Sequence, residues 1–201
     1  MAKRSSSSME VLLGMLAIEP MSGYDLGMTI RSSVGYFWNE SYGQIYPNLK
    51  RLAAAGLVNS KTERHKGKPD RRVYSITKKG RERLKSWLSV EPQPEIPRNE
   101  MLLKLFFGEH VPAEVPMGYV EREAEVCRAL LGFLEREARE GIDKNRHYPG
   151  APYWRMAVRF GELEMRAHLL WADETLVELK KMAGKKRNHG RTKKEKSHAG
   201  R

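Results

Sequence analysis

Between Ser41 and Arg72 a short helical pattern runs without a break into two β-patterned runs joined by a charged turn. Ser41 and Gln44 have the spacing of a capping box, a hydroxyl with a glutamine three residues later. Ile45, Leu49 and Leu52 follow at helical spacing and are predicted to face inward. The expected outer stripe is Gln44, Asn48 and Arg51, flanked by Tyr46 and Lys50. Gln and Asn can pair bidentately with adenine and Arg with guanine, so this stripe has the chemistry to read base edges in a major groove. Pro47 is awkward inside a helix, but Gly43, four residues earlier, has no side chain for its ring to press on. Ala53-Ala54-Ala55-Gly56 closes the helix, with glycine in the left-handed cap position. Residues 57–62 and 71–76 then read as strands, and His65-Lys66-Gly67-Lys68-Pro69-Asp70 as the turn between them. Six Lys/Arg and two Asp/Glu lie between Lys61 and Arg72. Such crowding of like charge is relieved by a polyanion.

The flanking segments complete a small unit. Met9 to Ile18 is apolar almost all round and reads as a buried helix ended by Glu19-Pro20. Ser22-Gly23-Tyr24-Asp25 has the form of an N-cap with an acidic residue three positions on, and Leu26, Ile30 and Val34 mark the inner face of the helix that follows. The Ser22 hydroxyl can cap its own helix or meet a phosphate, and the residues leave both open. Thr77 caps a fourth helix, predicted to turn Leu84, Trp87 and Leu88 inward. The order helix, helix, helix, hairpin, helix is that of a winged helix-turn-helix.

These segments also resemble a known family. Pro20-Met21-Ser22-Gly23-Tyr24-Asp25-Leu26, Gly43-Gln44-Ile45-Tyr46-Pro47-Asn48-Leu49-Lys50-Arg51-Leu52, Ala55-Gly56-Leu57-Val58 and Arg72-Val73-Tyr74-Ser75-Ile76-Thr77 closely resemble the PadR family of bacterial transcriptional regulators. The resemblance implies a dimeric winged-helix DNA-binder, often a repressor released by a small-molecule effector. It makes Ser41 to Ala55 the recognition helix and puts Tyr46 on its DNA-facing side. Ala53-Ala54-Ala55 replaces the more acidic segment common in relatives.

The second half has a different character. Net charge is +7 over residues 9–90, −4 over 91–182 and +7 over 183–201, within a total of +12. Pro92, Pro94 and Pro97 make residues 91–97 a stiff linker. A short apolar helix begins near Arg98 and looks like the start of the helical C-terminal domain of the longer PadR relatives. Two long helices follow, joined by a turn at His147 to Pro152. Tyr119, Val126, Leu130, Phe133, Leu134 and Ala138 are predicted to share one face of the first. Tyr153, Met156, Phe160, Leu163, Ala167 and Leu170 alternate by three and four on the second, the spacing of a packing seam. Two helices make only a thin layer, so the leftover apolar surface calls for a second copy. Phe133, Leu134, Phe160, Leu163 and Leu170 are the expected dimer contacts.

The resulting expectation is a mainly α (α+β) chain: residues 1–8 disordered, a winged helix-turn-helix over 9–90, the linker over 91–97, a long antiparallel helical hairpin for dimerisation and effector binding over 98–182, and a basic disordered tail over 183–201. Its partners would be double-stranded DNA with a palindromic operator, a second copy of itself, and an effector in a pocket lined by Phe106, Phe107, Tyr119 and Trp154. DNA contacts would come from Ser22, Ser41, Tyr42, Gln44, Tyr46, Asn48, Lys50 and Arg51, and from Lys66, Lys68, Arg71 and Arg72 in the wing. The alternative is a winged helix that assembles with an acidic protein and has no sequence-specific DNA role. One cysteine excludes an intramolecular disulfide framework and suits a reducing compartment. The histidines show no metal-ligand spacing, no catalytic motif appears, and no apolar run approaches the ~18 residues of a spanning helix. A cytoplasmic regulator with no cofactor and no enzymatic activity is expected.

Overall fold

A computed structural model describes residues 7–38, 41–65, 68–92 and 98–198. The side chains of residues 42, 64–65, 68–70 and 185–198 lie outside that description. The chain divides into two compact units, Met1–Pro94 and Glu95–Arg201.

The first unit contains α1 (Ser8–Ile18), β1 (Met21–Ser22), α2 (Gly23–Ser33), α3 (Tyr42–Ala54), β2 (Val58–His65), β3 (Lys68–Ile76) and α4 (Lys78–Leu88). Leu12, Leu16, Leu26, Ile30, Ile45, Leu49 and Leu52 are buried together, so the inward positions read from spacing on the first three helices form one core. The hairpin is joined by a strand that the sequence pattern does not reveal. Met21 and Ser22 pair antiparallel with Tyr74 and Val73, giving the order β1-β3-β2. Gly56 has φ of 69°, the left-handed conformation that lets α3 stop and β2 begin. Thr77 then receives the Gly80 N–H at 3.1 Å and donates its hydroxyl to the Gly56 carbonyl at 2.8 Å, seating α4 on this corner. Leu84 is half-buried, but Trp87 and Leu88, expected inward, are exposed because α4 lies over the core through its first turns only.

The second unit contains α5 (Glu100–Phe106), α6 (Glu114–Phe133), a wider π-type turn over Leu134–Ala138, α7 (Arg139–Lys144) and α8 (Ala151–His198). Asn99 caps α5 by accepting the Leu102 N–H at 2.9 Å. The α6–α7 arm runs antiparallel to α8. Asp143 pairs with Arg155, Glu135 with Arg166, and Arg139 with Glu162. At 1.5 Å per residue α8 is about 70 Å long. Its backbone continues to His198, so 183–198 is helical where a disordered tail was expected. That segment is rich in Lys and Arg, good helix formers, and extending a formed helix avoids the nucleation cost. Residues 93–97 of the linker, 1–6 and 199–201 lie outside the described residues.

The hairpin's inner faces differ from the predicted ones. Val120, Ala124, Cys127 and Leu134 are buried on the first arm, while Val126 is exposed. On α8, among the residues whose side chains are described, the buried positions are Ala151, Val158, Gly161, Glu162, Ala172 and Leu179. The predicted seam of Tyr153, Met156, Phe160, Leu163 and Leu170 faces outward, with Phe160 at 66% and Leu170 at 63% exposure. Small residues let two helices approach closely, so the small stripe closes the hairpin and the bulky one is left over.

Glu162 is wholly buried and neutralised by cations that remain half-exposed. Arg139 donates to both its carboxylate oxygens at 2.6 Å, and Arg159 donates to Oε2 at 3.1 Å. The hydrogen bonds from Arg139 hold this carboxyl below its ordinary range; burial pushes it up, and Arg159 helps to outweigh that burial. A depressed folded-state value contributes stability above the unfolded value, about 4.3 for Glu, and the contribution fades as pH falls through the lower folded value. Thermal melts of the hairpin signal should therefore be flat above about pH 5 and drop steeply below about pH 4. Glu162→Gln should melt lower at neutral pH and lose less on acidification; equal acid sensitivity in both proteins would contradict the assignment.

A Cβ on Gly80 would lie 2.2 Å from the Leu57 carbonyl oxygen. Alanine gains roughly 1 kcal/mol over glycine in a helix, yet forcing a methyl against fixed backbone costs about 1–3 kcal/mol. Gly80→Ala should lower the melting temperature of the first unit, and a rise would show that this close approach is absent.

Candidate nucleic-acid interface

α3 begins at Ser41, whose carbonyl accepts the Gln44 N–H at 2.9 Å, but its hydroxyl makes no capping bond. The reciprocal box expected with Gln44 is not formed, and both side chains stay exposed. Burying Ile45, Leu49 and Leu52 turns Gly43, Gln44, Tyr46, Pro47, Lys50, Arg51 and Ala54 outward. Asn48 is the exception to the predicted stripe. It lies about 60° round the helix from Ile45, is only 4% exposed, and accepts a hydrogen bond from Arg51 Nη1 at 3.1 Å. Its Oδ1 is thus turned to Arg51, and little of the side chain reaches the surface.

The end of α2 is built against this face. Ser22 Oγ accepts the Asp25 N–H at 3.2 Å, and Asp25 Oδ2 accepts the Ser22 N–H at 3.1 Å, so this capping box is complete. Ser22 is buried and its hydroxyl is engaged within the cap, which favours the self-capping reading over phosphate contact. Gly23 lies under the Tyr46 ring: a Cβ there would come within 2.6 Å of Cε1. The half-exposed Tyr46 is thus propped by the first residue of α2. Neither Gly23 nor Asp25 figures among the expected site residues, although the Ser-Gly-x-Asp spacing marks both.

The wing is tied to the same point. Arg71 of β3 forms an ion pair with Asp25. Burial pushes the Asp25 carboxyl up, but hydrogen bonds from the Ser22 side chain and backbone and the Arg71 charge outweigh it and hold the group below its ordinary value. Arg72 donates from Nε to Ser60 Oγ at 3.0 Å, and its guanidinium lies 5.7 Å from the Tyr74 ring centroid. Both arginines remain exposed at the surface, but Arg71 is first a fastener of the wing strand. The side chains of Tyr42 and Lys68, and Lys66 altogether, lie outside the described residues. Gln44, Tyr46, Lys50 and Arg51, with Ser41 at the helix start and Arg71 and Arg72 on the wing, are the predicted residues that stay exposed among those described.

The chain's sequence matches two family descriptions. Residues 12–86 match the transcriptional regulator PadR-like family, and residues 97–180 the C-terminal part of virulence activator alpha. Over 97 residues the chain is 34% identical to the negative transcriptional regulator PadR of Bacillus subtilis, covering 48% of this chain and 53% of that protein. It spans about half the length of the curated relatives it matches. The structure of the Vibrio cholerae virulence activator AphA superposes with a TM-score of 0.70 at 30% identity, covering 88% of this chain and all of that one. The chain belongs to the PadR-like family of transcriptional regulators. Crystal structures of B. subtilis PadR share the fold at 22% identity. The complex with operator DNA has a TM-score of 0.76, covering 88% of this chain and 99% of that one. The complex with p-coumaric acid has 0.67, covering 89% and 99%. In this PadR-like chain the two family matches lie on either side of the division at residues 94–95.

The second unit of this PadR-like chain does not assemble the expected four-aromatic pocket. Phe106 and Phe107 meet edge to face at 5.1 Å and are exposed. Tyr119 packs on the Val120 and Ala172 core, while Trp154 lies at the hairpin turn against Gly150 and Tyr148. The last two are at opposite ends of the antiparallel pair. A different hollow of about 740 Å³ opens between Leu105, Val111, Pro116, Leu179 and Met182, with Glu174 and Glu178 on its rim. Of the expected dimer contacts, Leu134 is buried inside the chain, Phe133 is half-buried, and Phe160, Leu163 and Leu170 are exposed. No described helix is long and apolar enough to cross a membrane.

Asp25→Asn should loosen β3 without unfolding the core. Amide hydrogen exchange across residues 71–76 should quicken while α1 keeps its protection. Unchanged exchange in β3 would show that the Arg71 pair does not hold the wing.

Proposed function

We propose that the protein is a sequence-specific, DNA-binding transcriptional regulator of the repressor type that acts as a homodimer on a palindromic operator. The observation that carries this reading is the outer face of α3. Gln44, Lys50 and Arg51 stand exposed beside a basic wing, while the opposite face of the same helix is fully committed to the core. Gln44 and Arg51 would meet base edges. Ser41, Tyr46 and Lys50 would fix the helix to the backbone, and Arg72 with Lys66 and Lys68 would meet phosphates from the wing. Asn48 would act through Arg51, by holding its guanidinium in one direction. Family membership and the operator complex of B. subtilis PadR support the DNA partner.

The second copy is supported by the apolar stripe along α8. Tyr153, Met156, Phe160, Leu163, Ala167 and Leu170 repeat every three and four residues and remain uncovered in the single chain. An effector would enter the hollow beside Leu105 and Met182, whose apolar walls suit a small organic body. It would regulate binding by favouring one arrangement of the two copies over another.

Fluorescence anisotropy on duplex from upstream of the gene, at two salt concentrations, tests the division of labour. Arg51→Ala should cost about 1–3 kcal/mol on the operator and relax base preference, with little loss on random duplex. Lys50→Ala should weaken all duplexes and reduce the salt slope by about one. Equal losses on operator and random duplex for both variants would contradict the assignment. Light scattering should give about twice the 23.1 kDa chain mass, falling to the single mass in Phe160→Glu. A monomeric wild type at micromolar concentration would refute the dimer.

A further inference from the structure

Glu123 and Cys127 stand one turn apart on α6, and His168 faces them from α8. Cys127 Sγ lies 3.9 Å from Glu123 Oε1 and 3.8 Å from His168 Nδ1, and His168 Nδ1 lies 3.7 Å from Glu123 Oε1. The histidines and the single cysteine show no ligand spacing along the sequence, and packing of the two helices brings these three donors together. They form a nearly equilateral triangle. The point equidistant from its corners lies about 2.2 Å from each, against ~2.3 Å for Zn–S and ~2.0–2.2 Å for Zn–N and Zn–O. The Cys127 thiol is within hydrogen-bonding range of both neighbours, but the 3.7 Å between the His168 ring nitrogen and the Glu123 carboxylate oxygen is longer than a normal hydrogen bond.

We propose that Glu123, Cys127 and His168 form a binding site for a zinc-class divalent cation that joins α6 to α8. The donor set suits a borderline-soft ion: one thiolate, one imidazole, one carboxylate. Cys127 is buried, whereas His168 and Glu123 are partly exposed, so the ion enters from their side and keeps water in the fourth position. Binding releases the thiol proton; the thiolate and the Glu123 carboxylate then balance the two positive charges. The site stands independently of the DNA-binding reading, since none of its residues lies in the first unit.

The test uses the full-length chain stripped with a chelator and titrated with Zn²⁺ against a chromophoric competitor, in parallel with Cys127→Ser, His168→Gln and Glu123→Gln. The wild type should take up one tight equivalent and gain thermal stability. Each variant should bind at least tenfold more weakly and lose that gain. With Co²⁺ in place of Zn²⁺, the wild type should show a thiolate-to-metal charge-transfer band that is absent in Cys127→Ser. His168 and Glu123 are half-exposed, so their variants keep the fold and the comparison stands even if Cys127→Ser is unstable. No tight equivalent in the wild type, or equal affinity in the wild type and the His168→Gln and Glu123→Gln variants, would overturn the site.

Discussion

Ser22 belongs to two elements at once. Its backbone pairs with Val73 in the sheet, and its side chain opens α2 by receiving the Asp25 N–H. The carboxylate that completes this cap also holds Arg71 on β3, so one residue pair fastens the helix-turn-helix to the wing. A cap of this kind contributes only about 0.5–2 kcal/mol, and an exposed ion pair about 1 kcal/mol or less. Their importance is geometric. With Gly23 lying under the Tyr46 ring, the same corner also sets the angle at which α3 presents its outer face. Loss of the corner would leave the core intact and the outer face of α3 unaimed.

The second unit solves a different problem with the same economy. A hairpin of two long helices has two faces to satisfy, and residue size divides them. Ala124, Cys127, Gly161 and Ala172 allow close approach on the inner side. Glu162, neutralised by Arg139 and Arg159, sits within that seam. Breaking such a pair by removing one partner costs more than the pair contributes to folding, so its value lies in fixing the register of α8 against the arm. The wider turn at Leu134–Ala138 re-phases the arm between Leu134 and Ile142 and precedes Arg139, which then meets Glu162.

Much of the first unit is legible in the sequence because its signals are local. Ile45, Leu49 and Leu52 fix the inward face of α3, the Ser22 to Asp25 spacing announces its cap, and Gly56 announces the helix end. Asn48 misleads because it is polar and adjacent to the core face, where periodicity alone cannot tell a base reader from a buried acceptor. β1 is invisible at two residues long. In the hairpin, hydropathy favours Phe160, Leu163 and Leu170 over the small residues that pack, so the bulky stripe is taken for the inner seam. The meeting of Cys127 with His168 depends on the register of two helices, which no local pattern contains.

In the proposed mode of recognition, α3 presents Arg51 to guanine edges in a major groove. Methylation interference on the operator addresses this directly, because a methyl group on guanine N7 blocks a bidentate arginine and leaves phosphate contacts unaffected. Methylation of one guanine in each half-site should abolish binding by the wild type and make no difference to Arg51→Ala. An identical interference pattern for both proteins, or none for the wild type, would place the reading head elsewhere.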